Sequence, residues 1–147
     1  MSVRIGATGT KLENMKAVID YTLVPIGKVR SPLKNIGDAP NQGYQGAPEA
    51  LVEVDKDLIA CLDGIQVGDK IILITWFHLS DRGVKKVYPQ NNRNNPLTGV
   101  FATRSPDRPN PLGLHPVAVL EIVDNRLKVA PLEAIDGTPV VDIKPVI

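Results

Sequence analysis

The sequence holds one cysteine, Cys61, and two histidines, His78 and His115. A lone cysteine excludes an intrachain disulfide and a multi-cysteine metal site. The histidines lie in separate segments, neither with a partner at metal-ligand spacing, so no metal is expected. Aromatic residues make up only 4%, which counts against a platform that stacks single-stranded bases. No apolar run approaches the roughly 20 residues that span a bilayer. The opening MSVRIGATGTKLENMK lacks the apolar stretch of a secretory signal. A cytoplasmic location with no membrane contact is expected. No G-x-G-x-x-G follows a strand-like run, which argues against a Rossmann dinucleotide turn. Gly6-Ala7-Thr8-Gly9-Thr10-Lys11 has the wrong spacing for a phosphate loop. Ser80, Ser105 and Asp81 lack the surroundings of a nucleophile elbow, so a hydrolase triad is set aside.

What is present is proline, glycine and short β-branched runs. Thirteen prolines and twelve glycines in 147 residues oppose long helices, because proline breaks helix interiors and glycine weakens them. Strands are predicted near Tyr21–Val29, Ala50–Val54, Lys70–His78, Gly99–Thr103, Pro116–Val123, Arg126–Ala130 and Val140–Ile143. Asp124-Asn125 reads as a tight hairpin turn and Asp136-Gly137-Thr138-Pro139 as a second turn. One helix is predicted over Lys56–Leu62, with Asp55 placed to cap its free amides. Seven short strands with little helix must hide their edges, so the expected fold is all-β: a small closed antiparallel β-barrel with one or two short helices. The patterned sequence begins shortly after Met15. Residues 1–20 are therefore expected to be an N-terminal tail and residues 21–147 the barrel.

The net charge is only +1, but its distribution is uneven. From Arg82 to Arg108 six basic residues (Arg82, Lys85, Lys86, Arg93, Arg104 and Arg108) face one acid, Asp107, giving +5 there and leaving −4 elsewhere. Such a window suits either a solvated charged loop or a surface that meets phosphates. Within it, Ala102-Thr103-Arg104-Ser105-Pro106-Asp107-Arg108-Pro109-Asn110-Pro111-Leu112-Gly113 carries three prolines in six residues. Each fixes φ, and each preceding residue is pushed toward an extended conformation. A stiff loop bearing two arginines holds anions with little loss of entropy. It serves equally as a barrel-closing loop whose arginines pair at the surface.

The stretch FATRSPDRPNPLGL, followed by LEAIDGTPVVDIKP, resembles the TrmO family of tRNA methyltransferases. IGKVRSPL (Ile26–Leu33) and ITWFHLS (Ile74–Ser80) match that family in order and spacing, so the resemblance covers about Tyr21 to Ile147. It implies a small β-barrel that binds S-adenosylmethionine outside a Rossmann framework. The implied reaction is N6-methylation of N6-threonylcarbamoyladenosine at position 37, next to the tRNA anticodon. Two departures stand out. Longer bacterial members carry a C-terminal extension, whereas this sequence stops just after Asp142-Ile143-Lys144-Pro145, and residues before Tyr21 have no matching counterpart.

Carried over by resemblance, the cofactor-binding residues are Pro40, Asn41, Gln42, His78, Leu79, Arg104, Leu114, Ala134, Ile135, Asp136 and Gly137. Arg104 suits a carboxylate, and both the cofactor and a threonine-bearing adenosine present one. Arg104 and Arg108 would divide those roles. Exposed backbone groups over Ala134–Gly137 would read the adenine edge. Arg82, Lys85, Lys86, Arg93 and Arg108 would meet tRNA phosphates near the anticodon loop. No catalytic base is named, because a carbamoylated N6 is more acidic than a plain amine. A homodimer is expected from the family. The rival reading is a non-catalytic RNA- or nucleotide-binding barrel using the same basic loop.

Overall fold

The computed structural model describes residues 3–5 and 21–147. Met15, the Gly6–Lys11 stretch and most of the expected tail lie outside the described residues. Val3–Ile5 (β1) pairs antiparallel with Tyr21–Leu23 (β2). Six further strands close a barrel: Gly27–Arg30 (β3), Ala50–Val54 (β4), Lys70–Trp76 (β5), Leu112–Val123 (β8), Arg126–Ala130 (β9) and Pro139–Pro145 (β10), in the order β10-β3-β4-β9-β8-β5. Lys86–Val87 (β6) and Thr98–Gly99 (β7) form a separate two-stranded ribbon.

Period-two patterning builds this barrel, since successive strand residues face opposite sides. Val29, Val52, Val54, Ile71, Leu73, Val117, Val119, Leu127, Val129 and Val140 point inward and form its core. Gly27 lets β3 and β4 approach: a Cβ there would stand 2.2 Å from the Glu53 carbonyl oxygen. Asp124-Asn125 makes the two-residue turn between β8 and β9, with Asp124 at φ +54°. Asn125 also ties that turn to β4, donating from Nδ2 to the Val54 carbonyl at 2.6 Å.

Some expectations are corrected. The run Tyr21–Val29 divides at Val24–Ile26, where Pro25 lacks the N–H that a ladder needs. Lys56–Leu62 is a 3-10 helix, and Asp55 caps it through its backbone: Leu58 N–H donates to the Asp55 carbonyl at 2.9 Å, with no side-chain cap. Of Gly99–Thr103 only Gly99 is strand, as the end of β7. After β7 the chain turns through a 3-10 segment, Val100–Ala102. The carbonyls of Val100 and Thr103 accept from the Arg108 guanidinium, and a side chain thereby takes acceptors that a sheet neighbour would otherwise use. β8 starts at Leu112, ahead of Pro116. It meets β9 only from Ala118 onward, which leaves Pro116 on a partly open edge where proline is tolerated.

The antiparallel order sorts the connections by length. Residues 31–49, 77–111 and 131–138 all emerge at one end, the mouth. The opposite end carries the Asp124-Asn125 turn and residues 55–69, from which Leu58, Leu62 and Ile65 pack against the core.

Candidate functional site

Residues expected from three distant parts of the sequence lie on connections at this end of the barrel. Pro40, Asn41 and Gln42 lie on the first connection, His78, Leu79 and Arg104 on the second, and Ala134, Ile135, Asp136 and Gly137 on the third. Leu114 stands apart. It sits on the outer face of β8 opposite Ile74, 45% exposed, pointing away from the interior that its neighbour His115 faces.

The first and third connections are locked together. Asp136 accepts from Ser31 N–H at 3.0 Å and meets Lys34 Nζ at 3.1 Å, while its own N–H donates to the Leu33 carbonyl at 2.7 Å. The Ser31 N–H, then Lys34, holds the Asp136 carboxyl below the usual aspartate range. Leu132 N–H reaches the Pro48 carbonyl at 3.0 Å. Gln42 and Gln45 close a reciprocal capping box on the turn Gly43–Gln45, with Gln42 N–H donating to Gln45 Oε1 at 2.8 Å.

The brace engages part of the backbone over Ala134–Gly137, where open groups were expected. Ala134 and Ile135 are 1% and 9% exposed. The Ile135 carbonyl accepts from Thr138, and the N–H groups of Asp136 and Gly137 serve Leu33 and Val29.

The second connection folds on itself. Pro106, Pro109 and Pro111 donate no backbone hydrogen bonds, so nearby carbonyls need donors from elsewhere. Arg108 supplies them: Nη1 donates to the Thr103 and Ser105 carbonyls at 3.0 and 3.1 Å, and Nη2 to Val100 at 2.8 Å. Arg82 does the same from the neighbouring turn, with Nε on the Pro109 carbonyl at 2.7 Å, Nη2 on Asn110 Oδ1 at 3.1 Å, and its guanidinium 5.2 Å from the Trp76 ring. Phe77 N–H donates to the Pro111 carbonyl at 2.8 Å, pinning the loop beside exposed His78 and Leu79.

The structure therefore separates the two loop arginines. Arg108 and Arg82, both expected at tRNA phosphates, have their guanidinium groups engaged by the chain itself. Arg104 is exposed and makes no hydrogen bond or ion pair among the described residues. Lys85 and Lys86 are likewise exposed and without an ion pair there, and Arg93 lies 5.2 Å from the Tyr88 ring.

Sequence reasoning missed one feature of the mouth. His115 is buried, with Nε2 2.6 Å from Thr75 Oγ1 and Nδ1 2.6 Å from Glu133 Oε1. Phe77 meets its ring edge-on at 5.6 Å. Gly113 leaves room for both rings, since a Cβ there would come within 2.6 Å of each. The available signal was phase. His115 alternates with Val117 and Val119 and so faces inward, where a histidine needs partners.

Comparison with known proteins supplies the context. A family described as "tRNA-methyltransferase O N-terminal domain" matches residues 28–147. A "Probable S-adenosyl-L-methionine-binding protein" of Methanothermobacter thermautotrophicus is 42% identical over 86% of this chain and 90% of its own. An "S-adenosyl-L-methionine-binding protein" of Archaeoglobus fulgidus is 42% identical over 83% of this chain and 86% of its own. Among solved structures, TrmO from Pseudomonas aeruginosa superposes with a TM-score of 0.69 at 28% identity, and a further TrmO structure with 0.70 at 30%. Each covers 88% of this chain, which spans 57% and 58% of those two chains.

Proposed function

This chain belongs to the TrmO family, and from that premise we propose that it is an S-adenosylmethionine-dependent methyltransferase acting on tRNA. Its proposed acceptor is N6 of N6-threonylcarbamoyladenosine at position 37. The observation that carries this reading is the mouth itself. Three connections leave the barrel at that end, and the exposed Arg104 has no partner among the described residues on a loop that Arg108 braces.

The residues present suit such a cofactor. Arg104 offers a planar fork for its carboxylate, and the connection bearing Pro40–Gln42 borders the same opening. On the third connection the N–H groups of Asp136 and Gly137 are engaged, whereas that of Ala134 has no acceptor among the described residues. When bound, the cofactor supplies an electrophilic methyl group on a sulfonium. The chain's part is to bind and orient. Arg108 and Arg82 hold the proline loop in place, Asp136 fixes the two connections against each other, and positioning is what such a transfer mainly requires. No side chain is assigned as a base.

Lys85, Lys86 and Arg93 remain as the phosphate-facing set on the tRNA side. A second copy of the chain is proposed to cover the outer face of β5 and β8, where Leu112 and Leu114 are 41% and 45% exposed. No helix among the described residues is long and apolar enough to cross a membrane, and work on tRNA assigns the protein to the cytoplasm.

A thermal-shift titration with S-adenosylmethionine and S-adenosylhomocysteine tests the cofactor, since a ligand in excess raises the melting temperature by mass action. No shift with either sinks the reading. Nucleoside mass spectrometry on tRNA from cells lacking the protein then tests the acceptor. Loss of methylated threonylcarbamoyladenosine is expected, and its persistence refutes that substrate. Arg104→Ala is expected to abolish transfer without changing the melting temperature; full activity in that variant refutes its role.

A further inference from the structure

The chain has two phenylalanines, and it spends one of them in solvent. Phe77 packs edge-on against His115. Phe101 is 83% exposed, more than any other aromatic side chain among the described residues, and no ring or guanidinium partner covers it there. Single exposed apolar residues are ordinary, so exposure alone assigns nothing. What sets Phe101 apart is the backbone beneath it. The Val100 side chain is buried and anchors the turn. Its carbonyl accepts from Thr103 N–H at 3.1 Å, from Thr103 Oγ1 at 3.0 Å and from Arg108 Nη2 at 2.8 Å. Val100 N–H in turn donates to the Lys85 carbonyl at 2.9 Å. These bonds fix the peptide that precedes Phe101, so a flat ring is held out on a braced turn and little freedom is lost when something packs on it.

The neighbours of the ring say what it meets. Lys86 pairs with Gly99 across the β6–β7 ribbon and Lys85 holds Val100, so two exposed cations of the phosphate-facing set lie on one side. Exposed Arg104 lies three residues on, at most about 11 Å along the chain. Phe101 is thus bracketed by the groups assigned above to RNA phosphates and to the methyl donor. An aromatic face among free cations suits an unstacked nucleobase, with the ring taking the base and the cations its phosphates. The apolar core of a protein interface is instead depleted of charge. So few aromatic residues give no platform for a run of bases, but one ring serves one base. An acceptor base that turns toward a methyl donor leaves its stack and exposes a π-face.

We propose that Phe101 stacks on the acceptor adenine of the RNA, in place of the neighbouring base that this adenine leaves. The ring makes and breaks no bond; it binds and orients the acceptor. The inference rests on the tRNA methyltransferase reading above.

The test is binding of an anticodon stem-loop that carries threonylcarbamoyladenosine at position 37, followed by fluorescence anisotropy with S-adenosylhomocysteine present. Phe101→Ala is expected to weaken binding about 5- to 150-fold, as loss of one base–aromatic stack implies. Its melting temperature and its affinity for S-adenosylhomocysteine should stay at wild-type values. Phe101→Tyr keeps a ring and should restore RNA affinity. A stem-loop with an abasic site at position 37 closes the cycle, because wild type and Phe101→Ala should bind it equally. An equal penalty on both RNAs overturns the proposal, as does wild-type RNA affinity in a folded Phe101→Ala protein. Weakened binding of S-adenosylhomocysteine by that variant overturns it by giving the ring to the cofactor. Loss of a dimer in sedimentation overturns it by placing the ring between two copies. If Phe101→Ala does not fold, NMR of wild-type protein labelled at its phenylalanine rings decides, and Phe101 signals unmoved at saturating stem-loop overturn the proposal. A wild-type protein that neither binds nor methylates the stem-loop defeats the tRNA reading and this inference together. Wild-type methylation that Phe101→Ala leaves unchanged defeats this inference alone.

Discussion

Replacing Arg108 by alanine separates loop order from barrel stability. The guanidinium makes three bonds to the carbonyls of Val100, Thr103 and Ser105, all between 2.8 and 3.1 Å. Hydrogen bonds to a charged group contribute about 1.5–3 kcal/mol each when well buried. This site is only half-buried and water replaces part of the loss, so the three together amount to about 2–4 kcal/mol of local order. No barrel ladder includes these bonds, and the melting temperature is expected to fall by less than about 5 °C. Ligand affinity should suffer more. Pro106 and Pro109 keep their own φ angles, which leaves Arg104 and Ser105 as the residues that regain freedom. Ordering them again on binding costs about 1–2 kcal/mol each. A total of about 2–4 kcal/mol corresponds to roughly 30- to 900-fold weaker binding of S-adenosylhomocysteine by calorimetry. Arg108→Lys should behave nearly as badly, because an ammonium cannot span three carbonyls as the planar fork does. Wild-type affinity in Arg108→Ala, or a fall in melting temperature with no loss of affinity, refutes the reasoning.

Three other outcomes follow from the same geometry. Asp136 has its folded pKa lowered by the Ser31 N–H and Lys34; its contribution to stability is therefore present above the unfolded value of about 4 and disappears as pH falls through the folded one. Asp136→Asn should melt below wild type at pH 7 and converge with it in strong acid, and parallel melting curves across that range would contradict the assignment. Gly27→Ala sets a methyl group against the Glu53 backbone, which cannot rotate away, so circular dichroism is expected to show a barrel melting at least about 10 °C lower or failing to fold; a shift within about 2 °C would count against the close approach. Replacing Lys85, Lys86 and Arg93 together by alanine should flatten the salt dependence of tRNA binding by about 2–3 in logarithmic slope, leaving S-adenosylhomocysteine affinity unchanged. An unaltered slope would remove those residues from the RNA surface.

The barrel strands were legible because their signal is local. Ala50–Val54 and Arg126–Ala130 alternate cleanly and emerge with the predicted bounds. Gly99–Thr103 also carries β-branched residues, Val100 and Thr103, and adds Phe101, but does not share that fate. Its carbonyls are claimed by Arg108, five residues beyond the segment, and no propensity reports such a competitor. The proline loop was expected to present both arginines to ligands, whereas the structure ties Arg108 to the loop's own carbonyls and leaves Arg104 exposed. Counting missing N–H donors in a run with Pro106, Pro109 and Pro111 shows that carbonyls need a donor there, although not which arginine answers. The Thr75–His115–Glu133 chain was hidden for a plainer reason. Its members are far apart in sequence, on β5, on β8 and in the third connection, and only barrel closure brings them to 2.6 Å.

Leu58, Leu62 and Ile65 pack against the core at the end opposite the long connections, so a ligand held among those connections would enter and leave from the mouth side alone. A macromolecule seated across the mouth would trap a small ligand beneath it, so exchange of the small ligand must wait for the large one to leave. If the RNA proposed above seats across that end, the small molecule would turn over only after the RNA has left.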